Sequence, residues 1–282
     1  MQINLVECAK VLREVMRVPV ITKISTQQKN QDRYNIFLDD AYAFSVDEEV
    51  LIRFNLKKGM ILDQDTLAKI QGEDVVRKAI NSAVHFLARR MRSEKEVTDY
   101  LTKKEYAPEA IKRAIPHLYK LHYLDDRQFA EAYTKTQIHT TDKGPKLIEI
   151  ELREKGVKEE WIVQALEAFT QEDQLEKAAV LASKACRKYR KESPIAQRQK
   201  TEQVLIRKGY PREIVRKALD LAEAGGEEEQ LEALMYQAEK AHRRYKGYSG
   251  GEYRQKMKQF LYRKGFPIEQ IEKAIEKLLD EE

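Results

Sequence analysis

The sequence predicts a mainly α-helical protein: an elongated array of four three-helix repeats, preceded by a small α+β domain with a three-stranded antiparallel sheet. Three observations support this fold class. One pattern of apolar residues recurs four times, and period-two alternation is confined to a region near residues 18–46. The composition, with 35% charged residues but only 11 glycines and 7 prolines, is typical of solvated helices joined by short turns.

The recurring unit is the end of one helix, a turn and the start of the next helix. In the second copy Gly156 fits the residue just past a helix C-terminus, and Val157 after it is expected to pack back onto Leu152. Apolar residues follow at fixed offsets, and the copies are about 50 residues apart. The equivalent turns in the other copies are Glu105-Tyr106, Gly209-Tyr210 and Gly265-Phe266, so only the first lacks the glycine.

Residues 1–72 are predicted to form the α+β domain. Residues 1–16 have the pattern of a short helix, and the sequence leaves open whether the chain starts at Met1 or Met16. Ser45 with Glu48 has the spacing of a capping box for a helix over 46–55. The domain either docks a partner or covers the apolar face of the first repeat, as terminal repeats require. Alternation predicts strands near 18–24, 34–38 and 42–46, with a hairpin turn at Asp39-Asp40.

The repeats are predicted to span residues 73–121, 122–170, 171–224 and 225–282. An apolar stripe marks the first helix of the first repeat, and Ser93 with Glu96 forms a capping box for its second helix. The stripe residues are Val76, Ile80, Val84, Leu87 and Met91. Further helix starts are expected at Pro108, Asp125, Gly144-Pro145, Ser193-Pro194, Pro211 and Pro267.

No catalytic constellation, phosphate-binding glycine loop or cofactor motif is found, so the sequence does not predict an enzyme. His117, His122 and Asp125 are close together, but they span a helix end and are interpreted as surface polar residues rather than metal ligands. The cysteines Cys8 and Cys186 are isolated, which favours a reducing compartment. With no apolar run long enough for a membrane span and no signal-peptide pattern, we expect a cytoplasmic protein. We also expect it to be a monomer.

Basic residues gather where the first helix of a repeat ends. The clusters are Arg89, Arg90 and Arg92 in the first repeat, Arg187, Lys188, Arg190 and Lys191 in the third, and Arg243, Arg244 and Lys246 in the fourth. Tyr189, Tyr245 and Tyr248 lie among them. One interpretation is that cations simply favour helix C-termini. The other is a basic ridge with interleaved aromatic residues, suited to phosphates and unpaired bases.

Two motifs resemble the signatures of the RecX family, regulators of the bacterial recombinase RecA. The first runs from Ala79 through Leu87-Ala88-Arg89-Arg90 and Ser93 to Glu96-Val97 and Leu101. The second runs from Tyr123-Leu124-Asp125-Asp126 through Phe129-Ala130, Tyr133, Gly144-Pro145, Ile148 and Glu151-Leu152 to Lys155-Gly156-Val157. The resemblance covers about 73–282, and the N-terminal strands resemble the extension of long Firmicute-type members. Glu105 in place of glycine and the extra fourth repeat depart from the short members.

This resemblance implies a non-enzymatic protein that lies along the RecA–single-stranded DNA filament and restrains its ATP hydrolysis and strand exchange during recombination and DNA repair. It also implies that single- or double-stranded DNA is a partner of some members. Two hypotheses follow. The protein either regulates a RecA filament, or it is a stand-alone nucleic-acid-binding repeat protein whose basic ridge supplies the binding.

Overall fold

A computed structural model describes residues 19–28, 30–222 and 226–280. These residues form three strands and 13 helices, and the chain divides into two compact units, Met1–Asp126 and Arg127–Glu282. The mainly α fold with an N-terminal antiparallel sheet is therefore confirmed. The helix expected over residues 1–16, which includes Cys8, lies outside the described residues.

The N-terminal sheet contains β1 (Ile21–Thr26), β2 (Arg33–Leu38) and β3 (Ala41–Asp47), antiparallel and in sequence order. Asp39 and Asp40 both adopt positive φ, 49° and 66°, as a two-residue turn matching the right-handed twist of a hairpin requires. The predicted hairpin is thus confirmed. Ile21, Ile36 and Val46 are fully buried and form the centre of this domain's core.

Tyr42 departs from the alternation seen in the sequence. Period-two spacing places it on the same face as Phe44 and Val46, yet its side chain is 59% exposed. The register explains the difference, because Ile36 pairs with Phe44 while Phe37 pairs with Tyr42, which leaves Ala43 as an extra residue in β3. This β-bulge turns Tyr42 to the other face, where its ring meets that of Phe37 edge-on at 6.0 Å.

The first short helix, α1 (Glu48–Arg53), starts later than predicted, and the Ser45–Glu48 capping box is wrong. Asp47 is the N-cap, and its carboxylate accepts the backbone N–H of Glu49 at 3.2 Å. Ser45 remains in β3, where its backbone and hydroxyl oxygens accept hydrogen bonds from the Arg33 guanidinium. The carboxylate of Asp47, which is closer to the first helical turn, therefore caps the helix instead of the Ser45 hydroxyl.

Helix α2 (Gln64–Leu87) is continuous through residue 72, where the sequence suggested a domain boundary. Its N-terminal half contributes Ile70 to the core of the sheet, and its C-terminal half contributes Val76 and Ile80 to the core of the first repeat. Met91 does not belong to the predicted stripe, because the helix ends at Leu87 and Met91 is exposed in the loop that follows.

The first repeat is completed by α3 (Glu94–Lys103) and α4 (Pro108–Lys120). The capping box of Ser93 and Glu96 is confirmed in both directions, and Pro108 occupies the first turn of α4. The second repeat contains α5 (Asp126–Thr140), α6 (Pro145–Glu154) and α7 (Glu159–Leu166). The third contains α8 (Gln171–Lys188), α9 (Pro194–Arg207) and α10 (Arg212–Leu221), and the fourth α11 (Glu227–Tyr245), α12 (Gly250–Arg263) and α13 (Ile268–Asp280).

All four turns between the second and third helices share one hydrogen-bond pattern. In the second repeat the N–H of Val157 donates to Leu152 O at 3.1 Å, and that of Gly156 donates to Arg153 O at 2.9 Å, as in a Schellman motif. Gly156, Gly209 and Gly265 have φ of 77°, 86° and 91°. Glu105 takes the same region at 64° with its side chain exposed, so the first turn keeps its geometry without glycine.

Within the second unit, middle helices of neighbouring repeats meet end to end. The N–H groups of Gly144 and Lys146, at the start of α6, donate to the carbonyls of Lys208 and Gly209 at the end of α9, at 2.6 and 3.1 Å. At the next junction the Ser193 hydroxyl, the N-cap of α9, donates to Lys264 O at 2.5 Å. The same hydroxyl accepts the backbone N–H of Ala196 at 3.2 Å, so each junction satisfies terminal backbone groups of two helices.

Buried charges attach the sheet to α2. Asp74 is 3% exposed; its carboxylate accepts both Arg33 guanidinium nitrogens at 3.1 and 2.9 Å and the N–H of Asp47 at 2.9 Å. Lys78 lies 2.9 Å from the same carboxylate. Burial opposes its ionisation, but these hydrogen bonds prevail and lower the pKa of Asp74.

Replacing Asp74 by Asn is expected to lower the free energy of unfolding by about 2–4 kcal/mol at neutral pH, because it leaves Arg33 buried without its counter-charge. Since the folded-state pKa of Asp74 is depressed, this stabilisation is present above the unfolded pKa and is lost as pH falls through the folded value. Denaturant unfolding at pH 7 and in strong acid measures the effect. Glu213→Gln, which removes an exposed ion pair with Lys217, is the control and should change stability much less.

The pKa of Asp126 is shifted in the opposite direction from that of Asp74. Burial, together with the charges of Glu94 and Asp125, raises the pKa of Asp126 to about 6, even though its carboxylate accepts the backbone N–H of Glu94 at 2.8 Å. A raised carboxyl pKa stabilises the fold below the unfolded pKa, and this contribution is lost as pH rises through the folded pKa. Asp126→Asn keeps an oxygen acceptor without charge. It should raise the free energy of unfolding by on the order of 1 kcal/mol at pH 7, with no gain below about pH 4. Denaturant unfolding of wild type and Asp126→Asn at pH 7 and pH 4 tests this. Equal free energies of unfolding for the two proteins at both pH values would contradict it.

Candidate functional site

The structure places the three predicted cations of the first repeat in different surroundings. Arg89 is exposed, whereas Arg90 pairs with Glu96, the acid of the capping box, at 3.1 Å. Arg92 lies flat on Phe86, 4.0 Å from the ring centroid, and Phe86 in turn stacks on Tyr100 at 4.0 Å. Partial burial lowers the pKa of Arg92. Arg92 therefore anchors its loop, and Arg89 is the more accessible cation of this cluster.

The cations of the third repeat are the most available. Arg187 and Lys188 lie in the last turn of α8, and Arg190 and Lys191 in the loop after it. All four side chains are exposed, and no carboxylate of the described residues forms an ion pair with any of them. The ring centroid of Tyr189 lies 5.5 Å from the ammonium nitrogens of both Lys188 and Lys200. We call Arg187, Lys188, Arg190 and Lys191 the α8 cluster.

The cations of the fourth repeat are partly engaged. Arg243 lies 3.7 Å from Glu239 one turn earlier, and the guanidinium of Arg244 lies 5.5 Å from the ring of Tyr245. Lys246 is exposed just beyond the end of α11. Tyr248 is also exposed, and Lys256 lies 4.4 Å from its ring.

The end of the α8 cluster packs against the middle of α11. Gln237 donates its amide N–H to Lys191 O at 2.7 Å, and the Lys191 ammonium lies 4.2 Å from the ring of Tyr236. Arg190 and Lys191 line a groove of about 350 Å³ together with Glu229, Glu232 and Glu239. Because a helix rises about 1.5 Å per residue, Arg243 lies about 10 Å further along α11 than Tyr236. Seven residues make about two full turns, so Arg243 lies on the same face of α11 as Tyr236, which Lys191 contacts.

Tyr236 and Lys200 were not predicted from the sequence as part of this surface. Tyr236 follows the apolar residues Leu234 and Met235 in the sequence, which suggests a buried side chain. It is instead 41% exposed, with the Lys191 ammonium over its ring. Lys200 lies mid-helix in α9 and reaches both Tyr189 and Glu192. For Lys200 the signal was visible only when the repeats were compared, because the other middle helices carry Tyr100, Glu151 and Lys256 at the equivalent position. For Tyr236 the sequence contained no such signal.

The first unit contains a polar cleft of about 740 Å³. Its lining includes Arg33, Asp47, Arg77 and Asn81, which are already bonded to one another or to Asp74. Across the residues the structure describes, no group of three or more potential metal ligands occurs. Within those same residues, no helix is both long and apolar enough to span a membrane.

Comparison with protein families identifies four domain types in this order along the chain. The model of the "Regulatory protein RecX N-terminal domain" matches residues 19–63, and those of the first and second RecX three-helix domains match 79–118 and 125–166. The third three-helix domain matches twice, at 171–219 and 227–275. The chain belongs to the RecX family.

Individual RecX proteins align with this chain over nearly its whole length. The chain is 46% identical over 260 residues to "Regulatory protein RecX" of Bacillus velezensis, covering 92% of this chain and 99% of the relative. Identity to that of Bacillus subtilis is 45% over 260 residues, covering 92% and 98%. A crystal structure of regulatory protein RecX superposes with a TM-score of 0.68 at 37% identity, covering 72% of this chain and 99% of that one. The resemblance inferred from the sequence motifs is therefore confirmed.

Proposed function

We propose that this protein binds the RecA–single-stranded DNA filament and restrains its ATP hydrolysis and strand exchange. The observation that carries the proposal is the α8 cluster, four exposed cations without carboxylate partners among the described residues, in a member of a family of regulatory proteins. Cations already paired with a carboxylate gain little from a polyanion. Those of the α8 cluster are free to neutralise acidic groups of a filament or DNA phosphates.

The proposed action is stoichiometric binding rather than catalysis. Attraction between the α8 cluster and a filament groove would favour the filament state that the protein contacts, and slow the subunit changes that accompany ATP turnover. Arg244 and Lys246 of the fourth repeat would extend the contact beyond the α8 cluster. We further propose that the repeats end at residues 121, 170, 224 and 282, and that the protein acts as a cytoplasmic monomer.

A stand-alone nucleic-acid-binding role is the second candidate. Three tyrosines of the second unit lie beside lysines, Tyr189 by Lys188 and Lys200, Tyr236 by Lys191, and Tyr248 by Lys256. Aromatic faces next to cations are suited to stacking unpaired bases while phosphates are neutralised. Binding of a labelled oligothymidylate without RecA, titrated with salt, separates the candidates. Strong binding near physiological salt with a steep salt slope favours this one.

The proposal is tested by measuring the DNA-dependent ATPase of RecA with increasing amounts of this protein. We expect hydrolysis to fall to a plateau at protein concentrations below one per RecA subunit, because one bound molecule influences several subunits. An ATPase rate unaffected at equimolar protein, under conditions where the protein is folded by circular dichroism, would refute the proposed function.

A further inference from the structure

The loop between the first and second helices is fixed in the same way in every repeat. The residue just before the N-cap of the middle helix contacts, directly or through one ring, the residue eight positions later. The residue pairs are Arg92 and Tyr100, Lys143 and Glu151, Glu192 and Lys200, and Tyr248 and Lys256. We call each pair a loop clamp.

The clamps of the second and third repeats are ion pairs of opposite polarity. In the second repeat Lys143 of the loop lies 2.5 Å from Glu151 of α6. In the third repeat Glu192 of the loop lies 2.5 Å from Lys200 of α9, so acid and base have exchanged places. The same position thus accepts either polarity, which indicates that the contact itself is retained rather than a particular charge.

The other two clamps use aromatic rings. In the fourth repeat the Lys256 ammonium lies 4.4 Å from the ring centroid of Tyr248. In the first repeat the Arg92 guanidinium stacks on Phe86, which stacks on Tyr100 with the ring planes 2° apart. Cation–ring contacts are comparable in strength to exposed ion pairs, so they serve as substitutes at the same place.

We propose that Glu192 and Lys200 are positioning residues for the α8 cluster. Lys200 reaches both ends of the loop that carries Arg190 and Lys191, because its ammonium lies 2.5 Å from Glu192 and 5.5 Å from the ring of Tyr189. A loop held at both ends presents its cations in one arrangement, which lowers the entropy lost when they bind a polyanion. This inference rests on the proposed function of the α8 cluster and adds two residues that need not touch the filament.

The test uses two substitutions with opposite effects on net charge. Glu192→Gln raises the net charge by one and Lys200→Gln lowers it by one, and each breaks the clamp. We expect both variants to bind RecA filaments about two- to fivefold more weakly than wild type. The exchange variant Glu192→Lys/Lys200→Glu copies the polarity of the second repeat at unchanged net charge. It restores the ion pair but not the contact of Lys200 with the Tyr189 ring, so it should bind more tightly than either single variant.

A matched control is the exposed ion pair of Arg198 and Asp220, 2.6 Å apart in the same repeat. Asp220→Asn breaks this pair outside the loop and should leave binding unchanged. Affinity is read from labelled RecA filaments and, separately, from a labelled oligothymidylate, with thermal melting as the folding control.

The outcomes distinguish the inference from the function on which it rests. If Glu192→Gln tightens binding while Lys200→Gln weakens it, net charge alone acts and the clamp has no positioning role. Wild-type binding by both single variants, with binding lost when the α8 cluster is changed to Gln, would also overturn the clamp while sparing the proposed function. If the α8-cluster variant itself binds like wild type, the proposed site is wrong.

Discussion

Gly209→Val is expected to lower the free energy of unfolding by about 3–5 kcal/mol, which combines backbone strain and overpacking. Gly209 has φ of +86°, a region that a β-branched residue adopts poorly. A Cβ atom there would also lie 2.7 Å from Leu147 N, on the neighbouring repeat. The turn of the third repeat would therefore have to separate from the start of α6, whose Lys146 N–H donates to Gly209 O.

Gly59→Val is the matched control, because Gly59 has the same φ of +86° but a Cβ atom there would meet no other atom within 4 Å. The loss of stability in Gly59→Val reports the strain of positive φ alone. The additional loss in Gly209→Val reports the contact between the third and second repeats. Urea unfolding followed by circular dichroism gives both values. Equal destabilisation by the two substitutions would show that close contact between the repeats contributes nothing to stability.

Replacing Arg187, Lys188, Arg190 and Lys191 together by Gln is expected to weaken restraint of RecA by at least about tenfold, since four attractive charges are lost from one surface. The fold should remain intact, because these side chains are exposed and form no ion pair among the described residues. A melting temperature within about 2 °C of wild type is therefore expected.

The companion variant replaces Arg153, Lys155 and Lys158 by Gln in the second repeat. Arg153 is held by two carboxylates, those of Glu149 and Glu159, whereas no member of the α8 cluster has a carboxylate partner among the described residues. Lys155 and Lys158 lie 5.4 and 4.8 Å from the rings of Tyr133 and Trp161, contacts like those of Lys188 and Lys191 in the α8 cluster. Hydrogen bonding to Glu159 and the nearby carboxylates raise the pKa of Arg153. Their loss should affect restraint much less than loss of the α8 cluster.

The repeat fold was predictable because its turns depend on local rules. A left-handed glycine three positions before a helix start, followed directly by an apolar or aromatic residue, is visible in the sequence at Gly156, Gly209 and Gly265. Side-chain caps within three residues, such as Ser93 with Glu96, were predictable for the same reason. The bulge at Ala43 and the cap at Asp47 were not, because strand register and the buried network around Asp74 decide them.

The candidate site was predictable only in part. Clusters of cations are visible in the sequence, but the sequence does not show which of them have partners after folding. Arg90 and Arg92 resemble Arg190 and Lys191 in pattern, yet Glu96 pairs with Arg90 and Phe86 holds Arg92. Availability depends on the contacts of the loop, and the loop clamps become visible only when the repeats are compared in three dimensions.

The most direct test of the α8 cluster is the DNA-dependent ATPase of RecA over a range of salt concentrations, with wild type, the α8-cluster variant and the second-repeat variant side by side. We expect wild type and the second-repeat variant to inhibit strongly at low salt and less as salt rises. The α8-cluster variant should inhibit weakly throughout, with a shallower salt dependence. Equal inhibition by wild type and the α8-cluster variant at every salt concentration would contradict the proposed role of the cluster.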